Sequence, residues 1–219
     1  MKLWQQIRWL ITKDLRLEWR NRYALNGILL YVLLIVIIIF LSFQQVEADI
    51  WNTLLWIILL FTAVNSITKS FIGESRQRDL YYYQLAHPQA IILAKIIYNV
   101  GLMLVMTVLA LLAYTIVMGF PVVYPGRYFL TLVLGALGFA SAFTMVAGIA
   151  SRAENSAALM AVLSFPIFLP MLILLIGVSA AGFKAFPLST LVRNYGLLLL
   201  INGVIAGLSL ILFPYLWRD

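Results

Sequence analysis

Six apolar runs punctuate the 219-residue chain, near Leu25–Phe43, Asn52–Thr68, Ile91–Met118, Tyr128–Ala150, Ala157–Val178 and Leu191–Tyr215. At about 1.5 Å per residue, each is long enough to cross the roughly 30 Å hydrocarbon core of a bilayer as a helix. A different pattern precedes the first run. In "MKLWQQIRWLITKDLRLEWRNR" (residues 1–22), Leu3, Trp4, Ile7, Leu10, Ile11, Leu15 and Leu17 share one helical face, and Lys2, Gln5, Arg8, Thr12, Lys13, Arg16 and Arg20 share the other. This basic, tryptophan-bearing pattern predicts an amphipathic helix lying flat in the membrane interface. Asp14 and Glu18 break it, because both fall on the apolar face one turn apart. Carboxylates facing lipid are costly, and two at that spacing repel each other. Either the face rotates and both acids snorkel, or both face protein and pair with cations such as Arg76, Arg78 or Arg152.

Composition agrees with the pattern. Hydrophobic residues make up 64% of the chain and charged residues 11%, against about a quarter charged in a soluble domain. The reading is an all-α membrane protein, one polytopic domain over 1–219. With no cysteine, disulfides and thiolate metal sites are excluded. The N-terminus is charged well beyond a short n-region and the first run is long enough to span, so no cleavable signal peptide is expected. A net charge of +7 here serves headgroups and orientation rather than nucleic acid. Threading the chain through six spans places twelve of its fifteen basic residues on one side. That side is then cytoplasmic, with both termini, in a bacterial inner membrane.

The middles of the runs carry essentially no charge. Asn65, Asn99 and Asn202 are the main polar intrusions. Proton relays, voltage sensors and ion-coupled carriers need ionisable groups at depth, and a metalloprotease needs several ligands and a base. One histidine does not supply these, so the asparagines read as interhelical hydrogen bonders. Gly138 with Ala142, and Gly203 with Gly207, are small-residue pairs that serve either packing within one chain or a subunit interface. Pro166 and Pro170 favour a kink in the fifth run. Ser151 and Glu154 flank Arg152 in an S-x-x-E capping pattern, so the chain turns tightly there and restarts a helix. "SAAGFKAFPLST" leaves room for a short interfacial or re-entrant helix. The segment 69–90 holds "ESRQRDLYYYQLAHP", a concentration of charge and tyrosine ending on the sole histidine, His87, and Pro88.

Three stretches carry a resemblance. They are "KDLRLEWRNR" at Lys13–Arg22; Phe71, Glu74, Leu80, Gln84, Leu85, Pro88 and "ILAK" at Ile92–Lys95; and "SRAENSAALMAVLSFPIFLPMLI" from Ser151. In this order they resemble the haem exporter B family, CcmB, over nearly the whole chain. The resemblance implies an ABC-2-type transporter fold: six transmembrane helices with an N-terminal interfacial helix. It implies a permease subunit of cytochrome c maturation that is no enzyme itself and works with a soluble ATPase. The chain contains no G-x-x-x-x-G-K-[ST] loop, in agreement. Haem-handling membrane proteins, and a second copy of the chain, are the other expected partners. The segment 69–90 then becomes the cytoplasmic coupling element. Tyr81, Tyr82 and Leu85 fill a groove in the ATPase, while Glu74, Arg76, Arg78 and Asp79 fix register; buried aromatics and arginines dominate such contacts. The alternative is an ordinary solvated loop. Haem takes His, Cys, Met or Tyr as axial ligand. No histidine or cysteine lies within a run, so haem is expected as cargo of the complex rather than as a cofactor of this chain. Two other functions fit the same pattern: an ABC-2 permease for another cargo such as a lipid-linked glycan, and a membrane scaffold that does not transport.

Overall fold

A computed structural model of the chain describes residues 3–20, 22–43, 46–72, 87–150 and 156–216. These residues form the helices α1 (Leu3–Arg20), α2 (Arg22–Ser42), α3 (Ala48–Ile72), α4 (Pro88–Met118), α5 (Pro125–Ala150), α6 (Ser156–Ser179) and α7 (Leu188–Leu216). Each predicted run coincides with one of α2 to α7. Several starts come earlier than the hydropathy suggested, because prolines open the helices. Pro88 and Pro125 are first helical residues of α4 and α5, where a missing N–H is no loss and φ is already helical. Gly119 ends α4 with φ at +78° and donates its N–H to the Thr115 carbonyl at 3.0 Å, a backbone angle that glycine alone adopts cheaply.

Five helical stretches are long and apolar enough to cross a membrane: Ala48–Ile67, Pro88–Met118, Pro125–Ala150, Val162–Gly182 and Leu188–Leu212. α2 contributes the shorter apolar stretch Asn26–Ser42. The connection after α6 is a 3-10 turn, Ala180–Gly182, not a re-entrant helix. Its Gly182 carbonyl accepts from the N–H groups of Val123 and Tyr124 at 2.9 and 2.8 Å. Two connections are thereby tied together.

Aromatic packing defines one end of the bundle. Trp51 at the start of α3 lies 4.8 Å from Tyr114 near the end of α4, 6.1 Å from Tyr128 at the start of α5 and 6.0 Å from Phe183 after α6. Starts of α3 and α5 therefore meet ends of α4 and α6, so α3 to α6 run alternately up and down. At the opposite end, Ile91, Ile92 and Ile96 of α4 pack with Leu10 of α1 and Leu210 of α7. α5 is the central helix. It contacts α3, α4, α6 and α7, and nearly every residue from Leu134 to Ala150 is buried.

Small residues on α5 make that contact possible. A Cβ at Gly135 would run into the Trp56 ring, and one at Gly138 into Met171 and Asn202. The Gly138–Ala142 pair is thus packing within the chain. Gly203 and Gly207 on α7 instead face open space. Pro166 and Pro170 lie inside α6 on its exposed side. Their neighbour Phe168 turns inward and stacks on Phe143 with centroids 3.6 Å apart, so the prolines face away from the core of the chain.

Candidate functional site

α1 is built onto α4. Gln6 Oε1 accepts the His87 backbone N–H at 3.2 Å, Asp14 Oδ2 lies 3.4 Å from Lys95 Nζ, and Glu18 Oε2 accepts from the Tyr98 hydroxyl at 3.0 Å. The two hydrogen bonds join residues 81 and 80 positions apart, and the ion pair falls in step between them. The helices therefore run side by side in the same direction over several turns; helices crossed at a steep angle would part after one. Ile7 closes the same seam against Ala90 and Ala94. This differs from an isolated helix lying flat on lipid by its whole apolar face. That face divides: Ile7 is buried, while Leu3, Trp4, Leu15 and Leu17 stay exposed.

The two acids face protein. Asp14 is only 6% exposed, so the snorkelling reading fails for it. Its partners are Lys95 and also Lys13, at 3.2 Å from Oδ1. Lys95 is itself 6% exposed. A buried carboxylate beside two ammonium groups meets the rule that buried charges are paired. Sequence reasoning had looked for arginine partners at Arg76, Arg78 and Arg152, which lie outside the described residues.

The proposed coupling residues Glu74, Arg76, Arg78, Asp79, Tyr81, Tyr82 and Leu85 lie outside the described residues, as do Ser151, Arg152 and Glu154. Their roots are described. α3 ends at Ile72 and α4 begins at Pro88. His87 is the N-cap of α4, with extended backbone (φ −64°, ψ 137°) and no side-chain capping bond. Its carbonyl accepts from Ala90 and Ile91, and its imidazole is exposed. His87 thus acts through its backbone, holding the start of α4 to Gln6.

Inside the bundle the asparagines join helices, with one exception. Asn99 donates to Thr144 Oγ1 at 2.8 Å, and Asn202 to the Leu134 carbonyl at 2.9 Å. Asn65 donates to Phe61 of its own helix. Sequence reasoning missed a denser cluster at the aromatic end. Asn52 Oδ1 accepts from Tyr128 at 3.1 Å and from Ser179 at 2.9 Å; its Nδ2 donates to the Ile176 carbonyl; Trp56 Nε1 donates to Ser179 Oγ at 2.8 Å. Asn52 and Ser179 stand at the margins of apolar runs, where polarity reads as loop. Nearby, Lys184 meets Asp49 at 2.7 Å on the surface. Among the described residues no group of three or more His, Cys, Asp or Glu side chains is placed to hold a metal ion.

No curated protein and no solved structure matches the chain. A family model described as "CcmB protein" matches residues 5–215. That match begins within α1, whose polar contacts organise the start of α4, and reaches the last turn of α7. The chain therefore belongs to the CcmB family, the multi-pass inner-membrane permease component of the cytochrome c maturation haem exporter.

Proposed function

We propose that this subunit converts ATP hydrolysis by a separate ATPase into movement within the membrane, with residues 69–90 as the coupling element and an ABC-2-type arrangement of six spans. α2 is the first span: its 21 residues reach about 31 Å, enough for the hydrocarbon core. The orientation with both termini cytoplasmic follows the distribution of basic residues.

One observation carries this reading. The root of segment 69–90 is anchored at His87 to a helix that is itself keyed to α4 through Gln6, Asp14 and Glu18. A push delivered to that segment would reach α4 and α1 as one rigid body, and α4 touches the central α5. Coupling needs such a stiff path, because packed elements shift between discrete arrangements rather than deform continuously. The buried interior, filled by Trp51, Trp56, Tyr114, Tyr128, Phe139 and Phe143, supports a mechanical role in a release step, with haem held by partner proteins.

The test is the triple change Arg78→Ala, Tyr82→Ala and Leu85→Ala. On a helix these three share a stripe. The ATPase should leave the membrane fraction and cytochrome c maturation should fail, with the permease still inserted at wild-type level. Retention of the ATPase together with normal maturation would move the coupling role to the turn at Arg152.

A further inference from the structure

α1 carries two acids and several bases, and the fold sets both acids apart from Arg16 and Arg20. Asp14 and Glu18 turn toward α4. On the outer side, Thr12, Leu15, Arg16, Trp19 and Arg20 line an open groove of about 660 Å³. Leu15 is 56% exposed and Trp19 75%. Arg16 and Arg20 lie one turn apart, and neither has a carboxylate partner among the described residues. All five residues lie on one outer face of α1, where the Arg16 and Arg20 guanidinium groups stand beside the apolar Leu15 and Trp19.

The length of α4 locates this groove relative to the bilayer. Its 31 residues extend about 46 Å, some 16 Å more than a hydrocarbon core of roughly 30 Å. Measured from Met118, the core is used up near Tyr98. A tyrosine at that depth suits the headgroup boundary. Everything from Pro88 to Lys95 then projects beyond it, which is where a buried lysine is tolerable. Because Glu18 bonds Tyr98, the C-terminal turns of α1, with Arg16, Trp19 and Arg20, lie at the same boundary.

We infer that this groove holds the headgroup of an anionic phospholipid. The phosphate sits between the Arg16 and Arg20 guanidinium groups, which bind phosphate in a fork geometry. The glycerol and the start of the acyl chains lie against Trp19, on the side of the hydrocarbon core, and Leu15 packs beside the headgroup. The Thr12 hydroxyl donates to the Arg8 carbonyl at 2.8 Å, so its oxygen remains an acceptor for a headgroup hydroxyl. The inference rests on α1 packing against α4 and not on the coupling role of residues 69–90; it holds for either orientation of the chain.

The experiment uses the full-length chain in phosphatidylcholine nanodiscs, doped with brominated phosphatidylglycerol or, in a second arm, brominated phosphatidylcholine. Bromine quenches nearby tryptophan, and Trp19→Phe identifies the share due to Trp19. Quenching of Trp19 should favour phosphatidylglycerol. Arg16→Gln with Arg20→Gln should reduce that preference by about fivefold for each arginine, while Arg193→Gln, distant on α7, leaves it intact. The wild-type preference should also fall at high salt, which needs no variant to fold. Equal quenching by both lipids, a preference that survives the double substitution, or one indifferent to salt would overturn the site. Displacement of the brominated lipid by soluble glycerol phosphate would overturn it too, by showing a free-phosphate site.

Discussion

Asp14 and Lys95 face each other with 6% and 7% of their side chains exposed. Removing one member of such a pair leaves an uncompensated charge, whereas replacing both with apolar groups of similar size is close to neutral. Asp14→Ala should therefore lower stability by about 3 kcal/mol, and Asp14→Leu with Lys95→Met should recover most of it. Thermal unfolding in mild detergent reads both. A double variant as unstable as Asp14→Ala would mean the charges serve something other than the seam. Tyr98→Phe should cost about 1 kcal/mol, the ordinary worth of one hydrogen bond, and Glu18→Gln less, since the amide oxygen still accepts. Asp14 and Glu18 were visible in the sequence as anomalies. Their partners were not, because a helical wheel ranks faces of one helix and is silent about which neighbour meets them.

Two small-residue stripes looked alike at the level of elements and behave differently. On α5, Gly138 receives Met171 and Asn202; on α7, Gly203 faces open space. Gly138→Leu should overpack the bundle, costing roughly 1–3 kcal/mol, and should lower the yield of folded protein. Gly203→Leu should leave the isolated subunit at wild-type stability. Matching losses at both positions would contradict this assignment of faces. α2 shows the same logic of one buried stripe: Ile28, Val32, Val36 and Ile39 are buried, and Leu30, Leu34, Ile38 and Leu41 are exposed. In water such an exposed face would be a liability; in lipid it is the outer wall.

For the whole molecule the decisive quantity is orientation. Gln45→Cys and Gly126→Cys should react with an impermeant thiol reagent from outside the cell, and Ser75→Cys and Ala153→Cys only after the membrane is opened. Labelling of Ser75→Cys from outside would reverse the orientation and place the proposed coupling segment on the wrong side for a cytoplasmic ATPase. The natural chain has no cysteine, so each introduced thiol reports alone.

The sequence by itself determined the membrane class, the order of the apolar runs, and the family, because each follows from local quantities: hydropathy summed over about twenty residues and the order of short motifs. Tertiary structure alone decided that Asp14 meets Lys95, that Asn52, Trp56, Tyr128 and Ser179 join three helices, and that one glycine stripe is filled while the other is open. Those pairings depend on which faces of different helices come together. In a bilayer that choice is poorly encoded in hydropathy, since lipid and a neighbouring helix are about equally apolar, and shape and a few polar contacts make the selection.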